Sequence, residues 1–194
     1  LGAIQNLMQK VDKLFVGGAM ANTFFVSKGY KVGKSLMEEH MVETAGKLMK
    51  EAEDKGISLF LPVDVVVAER LESGADFKEV DIDDVPENWQ ILDVGPKTVE
   101  KYSDELKDCA TIIWNGPLGA FETSPFDRGT VGIARCLAEL DSLTVVGGGD
   151  AAAALKHAGV EDRVSYISTG GGAFLKLLEG KKLPAIEALE KCGK

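Results

Sequence analysis

The chain is poor in the residues that build disulfide scaffolds and metal centres. Its 194 residues include three cysteines, Cys109, Cys136 and Cys192, and two histidines. The cysteines are odd in number, lie far apart and form no C-x-x-C pair, which excludes a disulfide framework and a zinc constellation. Free thiols in a reducing cytoplasm are the plain reading. Positive charge is also scarce: 22 Lys and Arg face 31 Asp and Glu, for a net charge of -9. An acidic surface repels phosphate backbones and anionic headgroups, so neither nucleic acid nor membrane is an expected partner. No apolar run approaches the roughly 20 residues of a membrane span. The first residues, Leu1-Gly2-Ala3-Ile4-Gln5-Asn6, lack the basic and apolar regions of a signal peptide and an initiator Met. The expectation is a cytoplasmic, monomeric domain cut from a longer chain.

Three familiar catalytic motifs are missing. Gly29-Tyr30-Lys31-Val32-Gly33-Lys34-Ser35 has three residues between its glycines where a P-loop needs four, and it follows a helical stretch rather than a strand. No G-x-G-x-x-G opens a strand-to-helix turn, because Gly147-Gly148-Gly149 continues into Asp150-Ala151-Ala152. No G-x-S-x-G nucleophile elbow occurs either.

What is present is a repeating rhythm. Apolar, β-rich runs at 13–16, 58–61, 63–67, 111–114, 143–146 and 164–167 lack alternation, as strands buried on both faces do. Helical periods fill the intervals: Leu36 to Lys55, closed by Gly56; Pro96 to Asp108; Gly129 to Leu140; and Asp150 to His157, ended by Gly159. The stretch from Glu69 to Asp93 breaks the rhythm and reads as an excursion beside the sheet, with one short strand at 77–80. A final helix is entered through Pro184, with Leu183, Ile186 and Leu189 on one stripe. The pattern predicts one Rossmann-like, three-layer αβα domain over residues 1–194, with a mostly parallel sheet of about six strands.

In such sheets ligands sit beyond the carboxyl ends of the strands. That rule selects four loops: Val16 to Met20, Trp114 to Gly119, Val146 to Asp150 and Ser168 to Gly172. Glycines there let the backbone approach a ligand, and free N–H groups of the following helix favour anions, phosphate above all. Asp150 reads either as an N-cap or as a magnesium ligand working with substrate phosphates. Glu122 reads either as a solvated loop acid or as an acceptor for a ribose.

The motifs Val16-Gly17-Gly18-Ala19-Met20, Leu61-Pro62-Val63-Asp64, Asp93-Val94-Gly95-Pro96-Lys97-Thr98, Trp114-Asn115-Gly116-Pro117, Gly147-Gly148-Gly149-Asp150 and Ser168-Thr169-Gly170-Gly171-Gly172 together resemble the C-terminal, nucleotide-binding half of the phosphoglycerate kinases. The resemblance runs in order across essentially the whole chain. It implies a glycolytic phosphotransferase that moves a phosphoryl group between 1,3-bisphosphoglycerate and ADP with Mg²⁺. By that resemblance Gly17, Gly18 and Ala19 line the adenine pocket, with Leu36, Leu71 and Leu92 as apolar walls. Asn115, Pro117 and Ala120 face the nucleotide, and Glu122 meets the ribose. Gly148, Gly149, Asp150 and Ala151 form the phosphate and magnesium turn, with Asp150 as the metal ligand. The backbone amides of Gly171 and Gly172 hold the phosphoryl group in flight.

Three departures stand out against the family pattern: Ala19 for a usual third glycine, Ile91 for a frequent glycine beside the base, and Ala151 for a common Ser or Thr. The resemblance also implies a basic triose-phosphate domain as partner and upstream lysines on the nucleotide phosphates, neither of which lies in these residues. It further implies that the C-terminal segment docks on that other domain. A fragment of this kind is expected to bind ATP or ADP yet be essentially inactive. The alternatives are a non-catalytic nucleotide-binding module and a dinucleotide oxidoreductase, the latter disfavoured by the missing fingerprint.

Overall fold

The alternation of apolar runs and helical periods becomes an α/β arrangement in the computed structural model, which describes residues 2–192. Helix α1 (Gly2–Leu7) leads into β1 (Lys13–Phe15), followed by α2 (Gly18–Ser27), α3 (Val42–Asp54) and β2 (Ser58–Phe60). β1 and β2 pair in parallel, with Leu14 opposite Leu59. Next come β3 (Asp64–Ala68), β4 (Phe77–Asp81) and β5 (Gln90–Val94), an antiparallel sheet with β3 at its centre. The chain continues through α4 (Pro96–Leu106), β6 (Thr111–Asn115), α5 (Arg128–Glu139), β7 (Leu143–Gly147), α6 (Gly149–Ala158) and β8 (Tyr166–Ser168). β6, β7 and β8 form a parallel sheet in that order. Helices α7 (Gly171–Leu178) and α8 (Pro184–Cys192) complete the described chain.

The expected α/β class holds, with a different distribution of strands. Among the described residues eight strands fall into three hydrogen-bonded groups rather than one sheet of about six. Two physical reasons account for this. All five residues of β3 are buried, so their continuous hydrophobicity reports two covered faces and not strand direction. In addition, β1 and β6 exchange no ladder bonds; the links on that side run through α4 and the loop after β6. At the base, Lys13 Nζ donates to the Glu105 carbonyl (2.8 Å) and pairs with its carboxylate (2.7 Å). At the top, the Gly18 N–H donates to the Leu118 carbonyl (3.0 Å).

Three apolar clusters hold the elements together. One joins α4, α5 and α6 to the parallel sheet through Leu106, Trp114, Ile133, Leu137, Val146 and Leu155. A second gathers α1, α2 and α3 over β3 through Ile4, Phe24, Phe25, Leu48 and Val67. A small third cluster puts Val66, Ala68, Leu92 and Phe126 together on the opposite face of β3. Tyr102 of α4 stitches the first cluster to the β1–β2 pair: its hydroxyl donates to the Val16 carbonyl (2.8 Å) and lies 3.1 Å from that of Phe60.

The helix expected from Leu36 begins later, with a 3₁₀ turn at Glu39–Met41 ahead of α3. Residues 35–38 are instead drawn across the fold as a strap. Ser35 Oγ accepts the Ile91 N–H (2.8 Å), the Asn22 amide donates to the Leu36 carbonyl (2.9 Å), and the Glu38 N–H donates to Thr23 Oγ1 (3.1 Å). These tertiary bonds outweigh the weak local preference for one more helical turn.

Helix α8 has no buried residue; Ile186 is 48% and Leu189 72% exposed. A nine-residue helix without a covered face is marginal in water. Amide hydrogen exchange should therefore be much faster across Pro184–Cys192 than across β7. Equal protection of the two in a demonstrated monomer would contradict this.

Candidate functional site

Four helix starts, those of α4, α5, α6 and α7, fall into two kinds. The first kind is closed by a buried aspartate from a neighbouring strand. Asp64 of β3 caps α4: its carboxylate accepts the Lys97 N–H (2.9 Å), the Thr98 N–H (2.7 Å) and the Thr98 hydroxyl (2.6 Å). Asp93 of β5 caps α5, accepting the Gly129 N–H (2.7 Å) on one oxygen and the Val94 N–H (2.9 Å) on the other. Each carboxylate satisfies donors that a helix start would otherwise leave unpaired.

The second kind is open. α6 and α7 begin on glycines with no side-chain cap. Their first backbone bonds are Ala152 N–H to Gly148 O (3.1 Å) and Phe174 N–H to Gly170 O (2.8 Å). Among the described residues this leaves the N–H groups of Gly149, Asp150, Ala151, Gly171, Gly172 and Ala173 without protein acceptors. The two open ends adjoin. A Cβ placed on Gly171 would lie 3.5 Å from Gly148 Cα, and one placed on Gly148 would lie 3.0 Å from Asn115 Oδ1. Gly148 has φ 95°, a conformation that L side chains rarely adopt. No Lys or Arg occurs in 146–152 or 168–174, so an anion there meets backbone N–H groups and helix dipoles.

A cavity of about 260 Å³ opens against the loop that follows β6. Gly18, Ala19 and Asn22 of α2 form one wall, Ile91 and Leu92 of β5 another, and Pro117 to Ala120 a third. Leu36 and Leu71 stand at its rim, 77% and 50% exposed. The loop from Asn115 to Ala120 links cavity and helix ends, and it is shaped by Thr130, whose Oγ1 accepts the N–H groups of Leu118 (3.0 Å) and Gly119 (3.2 Å). A larger groove of about 720 Å³ between α2, α3 and Lys97 contains none of the residues expected to bind ligand.

Seven of those residues line the cavity: Gly18, Ala19, Leu36, Leu71, Leu92, Pro117 and Ala120. Asn115, Gly148, Gly149 and Gly171 come together at the open helix ends. Gly17 caps α2 and packs on Leu118. Gly172 is exposed in the first turn of α7. Asp150 is exposed in the first turn of α6; the cap position falls on Gly148, so the N-cap reading of Asp150 does not hold. Ala151 is fully buried in the first turn of α6. Glu122 is exposed, outside the cavity lining, and makes no side-chain bond among the described residues.

Three contributors escaped sequence reasoning: Asn22, which reads as an ordinary polar helix residue; Thr130, which acts through a loop twelve positions earlier; and Asp93, whose motif was visible but whose capping role was not. No cluster of three metal-binding side chains occurs among the described residues, and no described helix is long and apolar enough to cross a membrane.

Fold and helix ends thus define a Rossmann-like α/β domain with its glycine turns gathered beyond the carboxyl ends of the parallel strands. Comparison with known proteins makes the assignment specific. The family model described as phosphoglycerate kinase matches residues 1–181. A phosphoglycerate kinase of Syntrophobacter fumaroxidans is 55% identical over 192 residues, covering 99% of this chain and 48% of that protein. The solved phosphoglycerate kinase of Coxiella burnetii superposes with a TM-score of 0.96 at 45% identity, over 100% of this chain and 50% of that one. The enzyme of Pyrococcus horikoshii follows at 0.82 and 30% identity, over 97% and 48%. The chain belongs to the phosphoglycerate kinase family, and it spans about half the length of the relatives it matches.

Asp93 gives the site a pH signature. Burial pushes its carboxyl up to about 7, the N–H groups of Gly129 and Val94 pull it partly back, and the charge of Asp127 raises it again. An unfolded aspartate titrates near ~3.9, so the folded state holds the proton more tightly. The resulting stabilisation is fully present below about pH 4 and is lost as pH rises through about 7. With Asp93→Asn as the reference without a titrating group, the stability of the native chain relative to the variant should fall by about 2–3 kcal/mol between pH 5 and pH 8. Urea denaturation at a series of pH values measures it, and a flat difference would show that Asp93 does not titrate there.

Proposed function

We propose that the chain is the nucleotide-binding half of a phosphoglycerate kinase, the enzyme that transfers a phosphoryl group between 1,3-bisphosphoglycerate and ADP. The observation that carries the reading is the convergence of two uncapped, glycine-opened helix N-termini beside an apolar cavity. The cavity suits a base, with Gly18, Ala19 and Leu92 against its faces and Leu36 and Leu71 at its edge. Pro117 and Ala120 guide the nucleoside toward the helix ends, and Glu122 accepts hydrogen bonds from the ribose. Phosphates then meet the N–H groups of Gly149, Asp150 and Ala151, while those of Gly171 and Gly172 stabilise the charge spread over the phosphoryl group in transfer.

The donor set fits magnesium in one way only. With no cage of three ligating side chains among the described residues, a single carboxylate, Asp150, would hold the ion jointly with the nucleotide phosphates, the mode Mg²⁺ favours. Magnesium, when bound, offsets phosphate charge that the nearby backbone alone neutralises only in part. The second substrate has no counterpart site in these residues. Positioning two reactants accounts for about 7–11 kcal/mol of barrier in such reactions, so the chain alone binds nucleotide without turning over usefully.

Calorimetric titration with adenosine, ADP and Mg-ADP tests the assignment of roles. Glu122→Ala should weaken adenosine and ADP alike, because both carry the ribose. Asp150→Ala should weaken Mg-ADP while sparing adenosine. Each loss should amount to about 1.5–3 kcal/mol. Identical ligand profiles for the two variants would overturn the division, and turnover by the isolated chain within tenfold of a full-length enzyme would overturn the expected inactivity.

A further inference from the structure

One buried side-chain polar atom in the wall of the cavity has no partner among the described residues. Asn22 is 2% exposed and lines the cavity, and its side-chain Oδ1 is buried with no hydrogen bond among the described residues. The orientation of the carboxamide is fixed by its other end. Nδ2 donates to the Leu36 carbonyl at 2.9 Å, and the reverse orientation would set two acceptors against each other. The other polar side chains of the lining are engaged: both Asp93 oxygens accept backbone N–H groups, and the Gln90 amide faces the Glu69 carbonyl at 3.4 Å. The remaining walls near Asn22 are apolar, namely Ala19, Leu36, Ile91 and Leu92. An acceptor held in such a wall distinguishes ligands by whether they bring a donor.

We propose that Asn22 is a specificity-determining residue of this site, whose side-chain oxygen accepts a hydrogen bond from the exocyclic amine of the base. This rests on the reading of the cavity as the base pocket. An adenine amine relieves the unpaired oxygen. A hypoxanthine ring presents a carbonyl at the same edge and leaves two acceptors face to face. Contact takes a small outward movement of the strap carrying Leu36, an exposed stretch that Asn22 itself tethers through the Leu36 carbonyl. The same side chain therefore positions the rim and reads the base.

The test is calorimetric titration of the chain with ADP, IDP and purine riboside diphosphate, the last bearing neither amine nor carbonyl at the position in question. ADP should bind about tenfold more tightly than IDP, with purine riboside diphosphate between them. In Asn22→Leu, with folding checked by circular dichroism, the three should bind within about twofold of one another. Equal affinities for ADP and IDP in the native chain would overturn the proposal without any variant, and so would an ADP preference that survives in Asn22→Leu. Failure of all three nucleotides and of adenosine to bind would instead overturn the underlying reading of the cavity, and the proposal with it.

Discussion

The hydrogen bonding of one buried carboxylate ties the cavity to the helices behind it. Asp93 sits at the end of β5 and accepts from Val94 on its own strand and from Gly129 at the start of α5. Two glycines make room for it: a Cβ on Gly119 or on Gly129 would run into the carboxylate. Gly119 belongs to the loop that walls the cavity, and Thr130, the residue after Gly129, fixes that loop by accepting its N–H groups. Strand β5, helix α5 and the 115–120 loop are thus held by a single cluster of short polar contacts. A buried acid without its donors would be costly, so the helix start and the loop have to form together with it.

The same logic explains where the fold leaves donors free. A helix start buried in a core needs a cap, and Asp64 and Asp93 provide two from adjacent strands of the antiparallel sheet, β3 and β5. Where the chain instead opens a helix on Gly148 or Gly170, no side chain competes for the N–H groups. Glycine also brings the two turns close enough that Gly171 nearly meets Gly148. Phe174 packs against Gly147, so α7 is seated on β7 through the one position there with no side chain of its own. Closed ends take their caps from aspartates on strands distant in sequence, whereas the open ends keep their N–H groups unpaired among the described residues.

Much of this was legible in the sequence. Helices α4, α5 and α6 were readable because apolar periodicity, Pro96 at an N-terminus and Gly159 at a C-terminus act locally; Gly159 indeed adopts φ 70°. The glycine loops after β1, β6, β7 and β8 were readable because a parallel strand must turn sharply into a helix. Strand β5 was not, since Gln90 and Asp93 interrupt its apolar pattern and their partners lie at Glu69, after β3, and on α5. The antiparallel order of β3, β4 and β5 was hidden by the uniform burial of β3. The late start of α3 was hidden because the bonds that unwind residues 35–38 come from Asn22, Thr23 and Ile91. Most local signals were read correctly, the N-cap reading of Asp150 excepted, and much of what stayed hidden was set by partners distant in sequence.

The strap shows how such non-local bonds shape the candidate site. Had residues 35–38 continued α3, Leu36 would have been carried on a helical turn and the Asn22 amide would have lost its acceptor. As a strap, the segment places Leu36 at the rim of the cavity and leaves it mostly exposed, with Ile91 opposite and tied back through Ser35. Ile91 takes up space beside Leu92 that a glycine would leave open. The cavity is therefore bounded on this side by an irregular segment held by three side-chain-to-backbone hydrogen bonds. The open ends of α6 and α7, by contrast, are regular helix starts whose geometry the glycines fix. On the proposed nucleotide reading, rigid donors would suit a charge held in one place, and an adjustable apolar rim would suit a base that enters and leaves.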